Sequence, residues 1–334
     1  MKRIGYLYEK ICEFDNINLA FKKAAKGKQY QSHVVQFKHN LNKNIRQIQQ
    51  QLIFRNIPIG NYRFFKVYDP KPRDICAASF PEQILHHAIM NVCEPYLEAF
   101  AIDASYASRK KKGSHNAIKK AKTLCGKYEW YLKLDIKKYF DSIDHMILID
   151  LLARKFKDEK LLDLFSKIIQ SYSIQPGKGL PIGSLISQHL ANFYLGPFDH
   201  WIKETVCIKG YIRYMDDFLI FNHSQLLLKK QLESIHSYLK SRLDLRIKEN
   251  SQLNRSKYGI PFLGYRVFSQ KILLTPRSRN RFVEKMVLYE KNYLNGIWSA
   301  KELVQHMEPL FGFVCKADTH GFRSDILNRF GVWS

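Results

Sequence analysis

Acid is scarce in this chain. Against 54 Lys+Arg stand 30 Asp+Glu, a formal net charge of +24 and a pI of ≈ 9.7. A surplus that large calls for a polyanionic partner, either a nucleic acid or an anionic membrane face. Long apolar runs are missing as well. None approaches the ~18 residues of a membrane span, and the first ten residues meet charge before any signal-type apolar stretch. The cysteines Cys12, Cys76, Cys93, Cys125, Cys207 and Cys315 contain no CxxC pair, which sets aside zinc ribbons and dithiol redox motifs. Isolated thiols fit a reducing compartment, so a soluble cytoplasmic protein is expected. The 12 histidines form no HExxH or other metal spacing, and no repeat or low-complexity linker interrupts the chain. What is plentiful is aromatic: Tyr 19 and Phe 22 tilt the choice toward nucleic acid, because bases stack on rings. With 334 residues and 46% hydrophobic content, the chain can bury a sizeable core in two or three subdomains.

Residues 1–60 read as a basic helical segment, 11 Lys/Arg against 3 Asp/Glu. Ile4, Leu7, Tyr8 and Ile11 form one apolar stripe at helical spacing, and Leu41, Ile45, Ile48 and Leu52 another. Arg63–Tyr68 reads as a strand, Asp69–Pro72 as a turn and Arg73–Ser79 as the return strand, followed by a helix with Ile84, Leu85, Ala88, Ile89 and Val92 inward. Between Arg109 and Lys122 lie seven basic residues and no acid, with Gly113 and Ser114 among them. Such a run is either a solvated face or a phosphate-contact surface, and the strongly positive chain favours the second. Trp130–Lys137 alternates like a half-buried strand, with Leu132, Leu134 and Ile136 on one face and Lys133, Asp135 and Lys137 on the other. One long helix is expected through Leu151, Phe156, Leu161, Leu164, Phe165 and Ile168. Residues 210–221 read as a hairpin with Met215-Asp216-Asp217 at its turn. A helix capped by Ser224 follows, and the last 60 residues read as helical.

Asp216 and Asp217 are adjacent and flanked by Tyr214, Met215, Phe218, Leu219 and Ile220. Two neighbouring carboxylates in an apolar strand repel each other and resist desolvation. A divalent cation with hard oxygen preference relieves both problems. A surface turn of solvated acids would carry the same pair. Asp135, on its own strand far upstream, tips the reading toward a two-metal nucleotidyl transferase.

Tyr214-Met215-Asp216-Asp217 resembles the YxDD box of reverse transcriptases, and Leu134–Phe140 resembles their first palm motif. The order continues. Lys66 and Pro72-Arg73 resemble the triphosphate-holding fingers residues. Tyr106–Ser114 resembles the second fingers motif, and Gly179–Asn192 the motif opening the helix beneath the template. Leu245–Asn250 resembles the lysine-bearing palm turn and Phe262-Leu263-Gly264-Tyr265 the primer-grip hairpin. The nearest resemblance is to reverse transcriptases of diversity-generating retroelements. Pro181–Gln188 carries Ile182 where many bacterial relatives have glutamine, and Ser187-Gln188 where they have Ser-Pro; Lys316–His320 and a short thumb also fit. No retron-like Asn-Ala-x-x-His box is found, and no maturase, HNH or RNase H segment is expected in the remaining length.

The resemblance implies an α+β right-hand polymerase, with an antiparallel palm sheet bearing the YxDD hairpin. It divides the chain into a basic helical extension (1–60), fingers (61–130 and 146–182), palm (131–145 and 183–268) and helical thumb (269–334). It implies an RNA-directed DNA polymerase, error-prone at template adenine, using two Mg²⁺ ions with Mn²⁺ as substitute. Asp135, Asp216 and Asp217 would be catalytic and hold metal, with the Ile136 carbonyl assisting. Lys66, Arg73, Arg109, Phe140, Ile182, Gly183, Gln188 and Lys248 would bind nucleotide. Phe140 would sit under the sugar unless it is simply core, and Ile182 either lowers fidelity or only packs. Lys110, Lys111, Lys112, Phe262, Gly264, Tyr265, Arg277, Arg279 and Arg281 would contact nucleic acid. The implied partners are a structured template RNA, the RNA/cDNA duplex, dNTPs and a small basic oligomeric accessory protein, with no membrane. Competing readings are a defence-associated or other bacterial reverse transcriptase, an RNA-dependent RNA polymerase, and a non-catalytic RNA-binding scaffold.

Overall fold

In the computed structural model, residues 3–68 and 72–330 are described. The expected turn at Asp69–Lys71 lies outside them. The chain begins with helices α1 (Tyr8–Ile11), α2 (Phe14–Ala25), α3 (Ser32–His39) and α4 (Leu41–Ile53). Strands β1 (Tyr62–Val67) and β2 (Arg73–Ala78) precede α5 (Phe80–Phe100), α6 (Gly113–Lys127) and β3 (Trp130–Asp135). Then come α7 (Tyr139–Ser142), α8 (His145–Lys155), α9 (Glu159–Gln170), α10 (Leu185–Tyr194) and α11 (Gly196–His200). A hairpin of β4 (Gly210–Tyr214) and β5 (Asp217–Asn222) leads to α12 (Gln225–Leu243). Strands β6 (Gln252–Arg255), β7 (Ile260–Phe262), β8 (Tyr265–Val267) and β9 (Ile272–Leu274) precede α13 (Pro276–Leu294), α14 (Ala300–Val314) and α15 (His320–Phe330).

Two compact units divide the chain. The first comprises Met1–Ser108, Ile136–Cys207 and Ser234–Lys248; the second comprises Arg109–Asp135, Ile208–Glu233 and Glu249–Ser334. In the first, α2 packs on α5 and α5 on α10. Phe21, Phe37 and Phe80 close that core with ring centroids 5.4–6.2 Å apart. The second is built on a four-stranded antiparallel sheet, order β4-β5-β3-β6, and a three-stranded sheet, β7-β8-β9. The central strands β3 and β5 are apolar for the reason their sequence suggests. Leu132, Leu134, Phe218, Leu219, Ile220 and Phe221 are all buried, and pleated packing rewards β-branched and aromatic side chains there.

The single long helix expected over 151–168 is two helices. Asp158 ends the run: its Oδ1 accepts from Leu161 N and caps α9, while its Oδ2 accepts from Leu7 N and Tyr8 N at 2.9 Å each. Just before it, Phe156 is drawn into a bridge with Ile4. The first apolar stripe is likewise not one helical face. Ile4 sits in that bridge, and only Tyr8–Ile11 is helical. In α13, Phe282 and Met286 are core as expected, whereas Tyr289 is half-buried and Glu290 is buried in its place. Ser224 caps α12 through Leu227 N.

His86, on α5, supplies a pH test of the first unit. It is buried, with Nδ1 3.3 Å from Ser184 Oγ and Nε2 3.7 Å from Glu82 Oε1. Burial lowers its pKa from 6.5 to about 3, so the ring is neutral near pH 7 and the Glu82 contact is not a charge pair. The unfolded state takes up a proton below ~6.5 that the folded ring refuses, so this contribution is present above that pH and lost as pH falls toward ~3. Thermal unfolding followed from pH 7.5 to 4.5 should show His86→Gln losing less stability than the parent. Parallel curves would show that His86 is not the titrating group.

Candidate active site

Pairing of β3 with β5 places Asp135 directly opposite Asp217. Residues opposite each other in an antiparallel pair share a face, with Cβ atoms ~4.5–5.5 Å apart. Two carboxylates are therefore held face to face by main-chain register alone. Lys133 lies two residues back on the same face, a diagonal neighbour of Asp217, and its Nζ reaches Asp217 Oδ2 at 3.2 Å. The other oxygen, Asp217 Oδ1, is buried with no hydrogen-bond partner among the described residues; Asp135 Oδ1 is buried as well.

This environment pushes the Asp217 pKa from 3.8 up to about 6. Burial is the largest cause, Asp135 and Asp216 add repulsion, and Lys133 offsets part of it. An electron-rich, incompletely neutralised pair of hard oxygens fits a divalent cation. Among the described residues no three His, Cys, Asp or Glu side chains converge into a ready cage. Mg²⁺ does not require one, since it is commonly held by one or two carboxylates plus substrate phosphates.

Asp216 occupies the turn between β4 and β5. Tyr214 pairs with Asp217, leaving Met215 and Asp216 as a two-residue connection. Met215 has φ +56°, a region that costs a side-chain-bearing residue energy and favours glycine. Buried Arg213 supports the turn, donating from Nη1 to Met215 O at 3.0 Å. The tight turn keeps Asp216 half-exposed at the hairpin tip while Asp217 lies in the sheet.

The remaining expected residues fall as follows. In the first unit, Lys66 and Arg73 are exposed on the β1–β2 hairpin, opposite Asp74 and Val67 respectively. Phe140 is half-buried on α7, its carbonyl accepting from Leu180 N at 2.9 Å. Ile182 O accepts from Cys76 N at 2.8 Å, tying the turn before α10 to β2. Gly183 has φ +111°, and a Cβ there would lie 2.8 Å from Ile75 Cγ2, so the close approach needs glycine. Gln188 Oε1 accepts from Ser108 Oγ at 3.2 Å. Ile136 is buried and bridges Ile247, which precedes half-buried Lys248.

In the second unit, Arg109 is half-buried in the turn entering α6, with Lys110 and Lys111 exposed and Lys112 half-buried. Arg277 and Arg279 are exposed at the start of α13, and Arg281 is half-buried. Phe262 and Tyr265 lie in the β7–β8 hairpin. Both are buried, and Tyr265 OH donates to Phe313 O at 2.8 Å. Their side chains pack into the β7–β8 hairpin, while its turn, Leu263-Gly264, is half-buried and Arg266 on β8 is exposed. Gly264 O accepts from Ser278 Oγ at 2.7 Å, anchoring α13 to that turn.

Lys133 and Arg213 are the site residues that sequence reasoning passed over. The strand alternation already put Lys133 on the face of Asp135; its pairing with Asp217 needed the register. Arg213 carries no signal of its own, because its partner is a backbone carbonyl.

An antiparallel sheet with Asp216 in one hairpin turn and Asp217 in register with Asp135 beside it fits a right-hand, polymerase-type nucleotidyltransferase of the α+β class. The profile of the family described as "Reverse transcriptase (RNA-dependent DNA polymerase)" matches residues 70–267. The chain belongs to that family. It is 24% identical to Protein YkfC of Escherichia coli over 295 residues, 72% of this chain and 74% of that protein. It is 29% identical to the group II intron-encoded protein LtrA of Lactococcus lactis over 153 residues, 44% of this chain and 26% of LtrA. In shape it is similar to apo telomerase from Candida tropicalis, with a TM-score of 0.49 at 11% identity, covering 65% of this chain and 48% of that one.

The raised Asp217 pKa has a measurable consequence. The folded carboxyl binds its proton more tightly than the unfolded one, so its ionisation above pH ~6 costs the metal-free fold stability, and that cost fades as pH falls toward ~4. Asp217→Asn should therefore stabilise metal-free protein at pH 8, by on the order of 1–3 kcal/mol. It should also shrink the added stability that Mg²⁺ gives the parent. Calorimetry with chelator and with Mg²⁺ measures both; a destabilised variant whose Mg²⁺ response is intact would place the ion elsewhere.

Proposed function

We propose that the protein is an RNA-directed DNA polymerase that makes cDNA from a retroelement template RNA, and that it belongs to the diversity-generating type. The observation that carries the catalytic reading is the in-register Asp135–Asp217 pair beside the Asp216 turn. Bound by these carboxylates and the Ile136 carbonyl, two divalent ions of the Mg²⁺ kind, or Mn²⁺ in their place, would activate a primer 3′ hydroxyl and steady the triphosphate. The chain's own residues have separate tasks. Lys66, Arg73 and Arg109 offset phosphate charge as pyrophosphate departs, and Lys248 supplies it a proton. Phe140 blocks a 2′ hydroxyl. Gly183 and Gln188 shape the nucleotide floor. Lys110–Lys112, the Leu263-Gly264 turn and Arg277, Arg279 and Arg281 contact the primer–template duplex.

In this reading 61–130 and 146–182 serve as fingers, 131–145 and 183–268 as palm and 269–334 as thumb. The basic extension 1–60 offers a docking surface for a structured RNA or a small basic oligomeric accessory protein. No helix among the described residues is long and apolar enough to cross a membrane.

Asp216→Asn tests the catalytic reading. A neutral amide weakens cation binding, while the +24 chain still attracts phosphate. Primer extension should be abolished and RNA binding nearly unchanged. Extension at the parent rate would sink the assignment.

The retroelement type rests on Ile182. A glutamine there could hydrogen-bond the nascent pair and penalise mismatches that leave its amide unsatisfied, whereas an apolar wall discriminates by only ~1–3 kcal/mol. Ile182→Gln should lower misincorporation opposite template adenine by roughly tenfold, equivalent to ~1.4 kcal/mol, with polymerisation retained. Deep sequencing of cDNA from one RNA template measures this; equal adenine error rates from two active enzymes would remove Ile182 from the argument.

A further inference from the structure

The second unit carries a cavity of about 680 Å³ at the end of β3 that lies away from Asp135. Sheet register explains what gathers there. Trp130 opens β3 and pairs with Asn222 of β5 and Arg255 of β6, so the ends of three strands meet at one edge. His223 follows Asn222, Lys127 ends α6 with Tyr128 next to it, and Phe268 arrives from the β8–β9 connection; all of these line the cavity. From Trp130 to Asp135 is five residues of strand, ~17 Å at ~3.3 Å per residue. The cavity is thus separate from the carboxylates while rigidly joined to them through one strand.

Its lining combines two chemistries. Lys127, Arg255 and Lys257 are exposed cations, set against the single acid Glu129. Tyr128 and Phe268 are half-buried rings, and the Tyr128 ring centroid lies 5.0 Å from that of His223. Several cations are held over ring faces: Lys127 over Tyr128 at 5.6 Å, Arg255 over Trp130 at 5.1 Å and Lys257 over Tyr258 at 5.2 Å. Such pairing keeps long basic side chains in defined positions. Ser256 also lines the cavity. It is 2% exposed, and its Oγ is buried with no hydrogen-bond partner among the described residues. A buried hydroxyl in that condition is costly unless a ligand satisfies it.

We infer that this cavity is a docking site for an unpaired nucleic-acid strand, distinct from the polymerase site. Cations take the phosphodiesters, the rings take exposed base faces, and Ser256 offers a hydrogen bond. A duplex fits poorly, because its base faces are already stacked on one another and only its charge would be recognised. The volume lies in the ~300–1,000 Å³ range of ligand cavities, room for nucleotides at a loop or an end rather than for a helix. The shared chemistry is that of an unpaired RNA segment or of the displaced or newly made DNA strand. The site goes beyond catalysis and does not require it.

The test uses the full chain with Asp216→Asn, so polymerisation does not enter. Single-stranded RNA bearing 4-thiouridine, an equal-length DNA bearing 4-thiothymidine, and a fully paired RNA duplex carrying the same 4-thiouridine are photo-crosslinked, and the adducts are mapped. Adducts with the two single strands at Tyr128, His223 or Phe268, weak with duplex, are expected; the stronger of the RNA and DNA signals names the natural occupant. Combined Lys127→Ala, Arg255→Ala and Lys257→Ala should lower the slope of log affinity against log salt for single strands by roughly 2, at ~0.7 per phosphate contact. Tyr128→Leu should weaken single-strand binding by at least ~5-fold, the low end of a base-stacking contribution. Thermal melting confirms that each variant is folded, and the charge variant, altered only at exposed side chains, stands if Tyr128→Leu does not fold. Adducts confined to other surfaces, an unchanged salt slope, or equal crosslinking by duplex overturns the inference.

Discussion

The functional part of the molecule depends on one electrostatic conflict held in place by hydrogen-bonded backbone. Pairing of β3 with β5 brings Asp135 and Asp217 opposite one another. Left to their side chains alone, two carboxylates would separate or share a proton. They cannot separate, because a one-residue slip would turn Leu132, Leu134, Phe218 and Ile220 out of the core. The apolar register fixes the polar geometry, and burial raises the pKa of Asp217 as the result. Lys133 moderates the conflict from a diagonal position without removing it. A fully neutralised pair would have no affinity left for a cation; an unmoderated one would burden the fold.

Asp216 solves a different problem. A carboxylate inside the strand would face the same burial, so it is carried in the two-residue turn, where Met215 accepts a positive φ. Arg213 holds the Met215 carbonyl from within the core. Strain at the turn is thus borne by interactions behind the site, which is where a preorganised acid should have its support.

Much of this was legible in the sequence, and the parts that were not share a cause. The strand carrying Asp135 announced itself by strict alternation, and the hairpin by an acidic pair between apolar runs, because both signals are local. The break at Phe156–Asp158 was not legible. The apolar period runs straight through it, and the segment that makes Asp158 a cap and clamp, Leu7-Tyr8, is about 150 residues away in sequence. The burial of Phe262 and Tyr265 was equally out of reach of local pattern. Their motif marks the hairpin, but the Tyr265 ring packs on Phe313, which lies far along the chain on α14. Local pattern identifies elements, while partners remote in sequence decide which side of each is open.

The same distinction bears on fidelity and on the basic surface. Gly183 is constrained by contact, since Ile75 and Cys76 leave no room for a Cβ. Ile182, beside it, is half-buried, and its carbonyl accepts from Cys76 N. The backbone of the turn is tied to β2 through the Ile182 carbonyl and the close approach of Gly183. The basic side chains follow the opposite logic. Lys127, Arg255 and Lys257 stand at the strand ends, outside the packed sheet, so their charge can serve phosphate without entering the core. Asp135 and Asp217 each keep one oxygen buried at the other end of the same sheet. One small sheet thus keeps its positive charge in solvent at one end and its negative charge in the fold at the other.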